Sequence, residues 1–160
     1  MGFFEDITLT HSIEIKALPE RIFDFLVHLE KNYQTWHPKD HVLFNWLKGN
    51  GWEEGSVAYA EEYLHDKLHR LKFLVTKVIP YKEIEYVPVS RLLRIYFPKN
   101  TFNVEQHGDT CVFTATSTIR VGWLVRKLAK GKLEHGLESV RTHMREEGEN
   151  LKQILEKDTV

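Results

Sequence analysis

At 160 residues, with 42% of them hydrophobic and 12% aromatic, the chain can bury one substantial core and is too short for two, so residues 1–160 read as a single domain. Lys and Arg (22) nearly balance Asp and Glu (23), and the net charge of −1 excludes a broad electrostatic surface for nucleic acid. One cysteine, Cys111, excludes an intrachain disulfide; the acidic opening MGFFEDITLT is unlike a secretory signal and no apolar run reaches bilayer length. The expected location is cytoplasmic, with neither a nucleic-acid nor a membrane partner.

In chain order, Thr8 to Lys16 alternates polar and apolar residues, with Ile13 and Ile15 on one face, and predicts a half-buried strand. Pro19 opens a helix through ALPERIFDFLVHLEK, whose apolar face is Ile22, Phe23, Leu26 and Leu29. Asn32, Pro38, Asp40, Gly49, Asn50 and Gly51 punctuate the next stretch, which reads as loop around one apolar segment, His41 to Leu47. SVAYAEEYL and HRLKFLVTKVI form a hairpin turning near Asp66 and Lys67. With a loop of even length Glu62 faces Leu71 on the inner side and Glu61 faces Lys72 outside; a three-residue loop would shift this pairing. EIEYVPV and LLRIYF are further strand candidates, and TFNVEQ and TCVFTATSTIRV make another hairpin about Gly108. GWLVRKLAKGK is helical and interrupted at Gly131, and the chain closes on a long amphipathic helix from Leu133 to Lys157.

The last helix carries Leu133, Leu137, Val140, Met144, Leu151 and Ile154 on one stripe. Glu147 stands within that stripe with His143 one turn earlier. A carboxylate on an apolar face either reaches a neighbouring Lys or Arg, or is kept charged by a metal. The element order is α+β: a long antiparallel sheet, curled around one helix of roughly 36 Å, with an internal cavity between them.

The front segment IEIKALPERIFDFLVHLEKNYQTWHP together with the long final helix resembles the START-like helix-grip superfamily of polyketide cyclases and plant lipid-binding allergens. More narrowly, YQTWHPKDH, GNGWEEGSVAYAEEY and HMREE look like the diacetylphloroglucinol hydrolase family. That resemblance implies a zinc ion held by two His and two Glu: His143 and Glu147 match the helical pair, His41 the first histidine and Glu62 the remaining glutamate, with His37 and Glu61 as competitors. It also implies that Tyr33 contacts a phenolic substrate. A further histidine of that family has no clear counterpart, with Tyr59, His69, Tyr96 and His107 as loose candidates.

Independently of the resemblance, a His2Glu2 set suits zinc and tolerates other divalent transition metals. The expected function is metal-assisted hydrolysis of a carbon–carbon bond next to a ketone on a small phenolic or diketone substrate. The alternatives are a non-catalytic carrier of an apolar small molecule, or a metal-free cyclase or dehydratase using His and Tyr as acid and base.

Overall fold

The structure is a computed structural model that describes residues 2–49 and 51–157. Seven strands form one antiparallel sheet: β1 (Phe4–Ile15), β2 (His41–Lys48), β3 (Val57–Leu64), β4 (Lys67–Ile79), β5 (Glu83–Pro88), β6 (Lys99–His107) and β7 (Thr110–Gly122). Their spatial order is β1-β7-β6-β5-β4-β3-β2, so the sheet is open, with β1 and β2 at its edges. The helices are α1 (Pro19–Val27), α2 (Leu29–Trp36), α3 (Arg91–Tyr96), α4 (Trp123–Leu128) and α5 (Lys130–Lys157). The architecture is the expected α+β helix-grip: a curled sheet holding a long C-terminal helix. None of the described helices is long and apolar enough to cross a membrane.

The first strand begins earlier than its alternation suggested, at Phe4, because β7 pairs with it all the way from Ile15↔Cys111 to Phe4↔Gly122. Cys111 is a buried strand residue in that pairing. Pro19 starts α1 as expected, and Ile22, Phe23 and Leu26 are buried. A break at His28, whose backbone N–H returns to Asp24 O, splits the expected helix at Leu29, and the second helix continues through residues 32–36, where loop was expected. Leu29, Tyr33 and Trp36, spaced for one helical face, are the buried residues of α2. That apolar face outweighs the turn preference of Asn32, whose side chain instead caps Phe25 O at 3.0 Å.

LLRIYF is not a strand. Ser90 accepts a hydrogen bond from Leu93 N and starts α3, a six-residue helix that buries none of its side chains. The β3–β4 hairpin turns on His65 and Asp66, both at positive φ, so Leu64 pairs with Lys67, Glu62 with His69 and Ala60 with Leu71. The register therefore differs by two residues from the expected one. A shift of two preserves the pleat, and Glu62 stays on the inner face with Ala58 and Ala60. In the closing segment the helix breaks at Ala129 rather than at Gly131, which lies inside the first turn of α5.

The core joins the inner sheet face (Ala58, Ala60, Phe102, Phe113) to α1, α2 and α5. On α5 the buried residues are Leu137, His143, Met144, Gly148, Leu151 and Leu155. Ile154 is only partly buried, so the stripe runs slightly rotated from the expected one, toward Leu155. Gly148 decides how closely α5 approaches β1, since a Cβ there would stand 2.9 Å from the His11 ring. Trp36 Nε1 donates to Glu147 O at 2.9 Å and Asn150 Nδ2 donates to Trp36 O at 3.0 Å, which fixes α5 in rotation against α2.

Candidate metal centre

The turn after α2 does the first part of the positioning. His37 N–H closes on Tyr33 O, and the backbone N–H groups of Asp40 and His41 both return to His37 O, at 3.1 and 2.8 Å. This tight HPKD turn delivers His41 to the first position of β2, where its side chain points inward. Glu62 comes from the facing strand, paired in register with His41, and His143 and Glu147 come from one face of α5, a turn apart.

One ligand atom from each of His41, Glu62, His143 and Glu147 lies within 4.8 Å of the other three. His41 Nε2 is 2.9 Å from Glu147 Oε1 and 3.7 Å from Glu62 Oε2; His143 Nε2 is 2.8 and 3.6 Å from the same two oxygens. Donors on a tetrahedral ion with bonds of about 2.05 Å stand about 3.3 Å apart, and the observed separations straddle that value. Their side chains are 0%, 13%, 9% and 12% exposed for His41, Glu62, His143 and Glu147, so water cannot supply the missing partners freely.

Hydrogen bonding assigns the two imidazoles the same tautomer. His41 Nδ1 donates to Tyr33 O at 2.9 Å and His143 Nδ1 donates to Asp40 Oδ2 at 3.1 Å, which turns both Nε2 atoms toward the carboxylates. Outer partners of this kind orient histidines that ligate metals. His143 Nε2 is buried without a hydrogen-bond partner although it lies 2.8 Å from Glu147 Oε1, because the approach is close but not aligned. The contact is charge pairing rather than a directed hydrogen bond. Two buried carboxylates call for compensating positive charge, and a divalent ion at this point would balance both.

Without an ion the compensation falls to a proton. Burial works to discharge His143, but Glu147 and Glu62 outweigh it and push its pKa up to about 12. Burial likewise favours neutral Glu147, yet His143 and then His41 hold its carboxyl far below the usual range. Metal binding would therefore expel the His143 proton.

Tyr33 stacks on His41 with ring centroids 3.8 Å apart and donates from its hydroxyl to Glu62 Oε2 at 2.7 Å. Burial, with the Glu62 carboxylate adding to it, raises the Tyr33 pKa well above the ordinary phenol value, so the hydroxyl remains a donor. Glu62 rather than Glu61 joins the group, since Glu61 lies on the outer face and accepts from Tyr59 at 2.8 Å. His37 is as buried as His41 but its nitrogens are committed: Nδ1 accepts from Asp40 N at 3.1 Å and Nε2 lies 2.9 Å from Glu146 Oε2.

Of the loose candidates, only His69 is near, opposite Glu62 on the inner face of β4, with its Nε2 buried and unpartnered. Tyr59 is held by Glu61, while Tyr96 and His107 are exposed at other points. Two contributors went unrecognised in the sequence. Asp40 sits between the two histidines of WHPKDH, a signal that was legible; Tyr86 carried none. Burial raises the Tyr86 pKa, with the charges of Glu147 and Glu62 adding, so its phenol is near both. A recess of about 530 Å³ opens elsewhere, between α1 and the β4–β5 turn, lined by Phe23, Val27, Trp52 and Tyr81 among others. Trp52 stands between it and Tyr86, at 5.9 Å from the latter ring.

A family model described as polyketide cyclase/dehydrase and lipid transport matches residues 6–145. A search of curated protein sequences finds no significant match. Among solved structures, norcoclaurine synthase from Thalictrum flavum, in complex with dopamine and hydroxybenzaldehyde, superposes with a TM-score of 0.69 at 14% identity, over 99% of this chain and 91% of that one. The Aha1 dimer from Colwellia psychrerythraea gives 0.64 at 20% identity, over 96% and 99%. The di-domain aromatase/cyclase BexL from the BE-7585A biosynthetic pathway gives 0.67 at 14% identity, over 94% of this chain and 50% of that one. At these identities the likeness establishes the fold.

Proposed function

Because the chain belongs to the polyketide cyclase/dehydrase and lipid transport family, we propose that it is an enzyme acting on a small polyketide-type molecule, a phenolic ketone or 1,3-diketone. In this reading His41, Glu62, His143 and Glu147 hold a divalent ion, zinc by first choice. The observation that carries it is the convergence of two imidazole Nε2 atoms, each turned inward by an outer acceptor, on the same two buried carboxylates. A family of cyclases does not require such a group, and an apolar carrier has no use for it.

An ion bound there supplies Lewis-acid polarisation of a ketone or phenolate oxygen. The remaining work falls to the chain. Tyr33, kept protonated, turns its hydroxyl from Glu62 to the substrate ring oxygen and sets the ring's orientation. Asp40 and the Tyr33 carbonyl keep both imidazoles in one tautomer. The reaction we favour is hydrolysis of the bond between the ring and its acyl carbon. Water adds to the acyl carbon, the carbon–carbon bond breaks, and the ring carbon takes the proton the water lost, leaving a carboxylic acid and a deacylated phenol. His69, whose inward Nε2 is unpartnered, is the group to carry that proton. This finer reading rests on the residues and on the resemblance to diacetylphloroglucinol hydrolases; the family match is broader.

A second reading is favoured by the family description and by His69 with Tyr86: a metal-free cyclase or dehydratase in which those side chains act as base and acid. Metal analysis of purified protein separates the two. The metal reading expects close to one equivalent of zinc or another transition metal, and a melting temperature that falls on chelation and recovers on reloading. Less than about a tenth of an equivalent, with no thermal shift on adding metal, sinks it. Acylphloroglucinols and poly-β-ketones then serve as trial substrates, the first expected to lose an acyl group and the second to cyclise.

A further inference from the structure

The exposed apolar residues are not scattered evenly, and many of them gather at one end of the sheet. The pairings Phe4↔Gly122, Lys99↔Thr118, Phe73↔Pro88 and Leu64↔Lys67 bring the start of β1, the end of β7 and the β3–β4 turn together at that end. Helix α3 enters β6 there and α4 leaves β7 there. The start of α5 joins them, since the His135 ring lies 5.6 Å from the His65 ring in the turn. Neither α3 nor α4 buries a single side chain. What they present is Leu92 (64% exposed), Trp123 (42%), Leu124 (53%) and Leu128 (79%), next to Phe3 (76%). A monomer in water gains nothing from such a surface, and side chains of this size clustered at one end mark a contact site.

Basic residues predominate around that surface, since Glu5 and Asp6 are paired with Arg126 and Arg120 and Glu134 is the further exposed acid beside the lysines. Lys127, Lys130 and Lys132 are exposed along the α4–α5 junction, and Lys127 Nζ sits 5.8 Å from the Trp123 ring. Arg126 is tied to Glu5. Tryptophan and leucine flanked by lysines is the composition of a segment that lies at a lipid interface, with apolar tips among the acyl chains and ammonium groups at the phosphates. A second copy of the chain fits less well, because an isologous contact would set these lysines against their own symmetry mates.

We propose that this end of the protein, led by Trp123, Leu124 and Leu128 with Lys127 and Lys130, docks on the surface of an anionic lipid bilayer. The expectation of no membrane partner came from the lack of an apolar run of bilayer length, which does not see how exposed apolar and basic side chains are distributed over a surface. The proposal does not depend on the metal centre. Docking would place the family's kind of apolar ligand within reach of the fold without any transmembrane element.

The test is co-sedimentation of the full chain with vesicles of phosphatidylcholine alone or enriched in phosphatidylserine, with melting temperature and sedimentation velocity measured on each variant. The expected result is binding to the phosphatidylserine vesicles that weakens with added salt. Replacing both Lys127→Gln and Lys130→Gln should lower partitioning by roughly 30-fold, at about fivefold per lysine. Leu124→Asp with Leu128→Asp should abolish it with the melting temperature unchanged, since neither side chain is buried. The proposal is overturned if wild type ignores both vesicle types or binds them equally. It is also overturned if the wild type sediments as a dimer that Leu124→Asp with Leu128→Asp converts to monomer, which would assign the surface to a second copy.

Discussion

Two regions of the interior lie side by side and are buried to nearly the same degree, yet they obey opposite rules. In the aromatic region, Trp36 (1% exposed) packs on Phe25 and Phe102, and Phe102 stacks on Phe113 with centroids 5.6 Å apart. In the polar region, one turn of α5 away, Glu147 and His143 meet His41 and Glu62. The aromatic side chains are held by burial itself, and each adds to stability. The polar ones oppose burial and persist only through one another or through a bound ion. Substitution in the first region should therefore cost folding, and in the second it should cost binding.

The largest expected effect is Trp36→Ala. It removes a fully buried indole together with its hydrogen bond to Glu147 O, and should destabilise the chain by about 3–5 kcal/mol in urea unfolding. Next, Glu147→Gln should lower metal affinity by more than the roughly 10–100-fold typical of an outer-partner change. The paired variant His143→Leu with Glu147→Leu should leave the metal-free protein as stable as wild type or more so. If the pair instead unfolds the metal-free chain, the polar region is structural and the contrast fails.

Asp40→Asn sharpens the comparison by leaving every ligand in place. It weakens the acceptor that orients His143, and competition with a chelator dye should show about 10–100-fold weaker metal binding. His37→Phe removes a buried imidazole that accepts from the Asp40 backbone N–H and stacks on His143, and should destabilise the chain while weakening metal binding less than Asp40→Asn in the same dye competition, since the Asp40 carboxylate stays. Gly148→Ala brings a methyl against His11 and should destabilise by about 1–3 kcal/mol if that ring cannot rotate away. The smallest effect is expected at the surface. Arg120 bonds Asp6 at 2.8 Å and lowers the aspartate's pKa, so the pair's contribution is present above the ordinary aspartate pKa and fades as pH falls through the depressed one. Arg120→Ala should be unresolvable from wild type in a thermal melt at low pH and close to it at neutral pH.

His37 and His41 show where sequence reading stops. Both sit in WHPKDH, both are buried, and spacing could not choose between them. Only the closed α2 turn separates their surroundings: the Tyr33 carbonyl turns His41 toward Glu62 and Glu147, while His37 takes the Asp40 amide on one nitrogen and groups with Asp40 and His143. Glu61 and Glu62 divided more readily, because alternation along a strand is local. Even a register wrong by two residues kept Glu62 inside. The segment LLRIYF failed for the reverse reason. Its composition suits a strand, but Ser90 caps it as a helix and the sheet pairs without it.

The sequence by itself determined most of the strands, the amphipathic run of α5 with His143 and Glu147 one turn apart, and the inward side of β3, since each follows from a period of two or 3.6 along the chain; the full set of four came from the family resemblance. Tertiary structure alone decided that they do meet, with α5 set in rotation by Trp36, Asn150 and the close approach at Gly148. It alone also decided which nitrogen of each histidine faces the carboxylates, and that the apolar side chains of α3 and α4 collect beside a row of lysines. Those are relations between segments distant in sequence, and no local period encodes the distance across a fold.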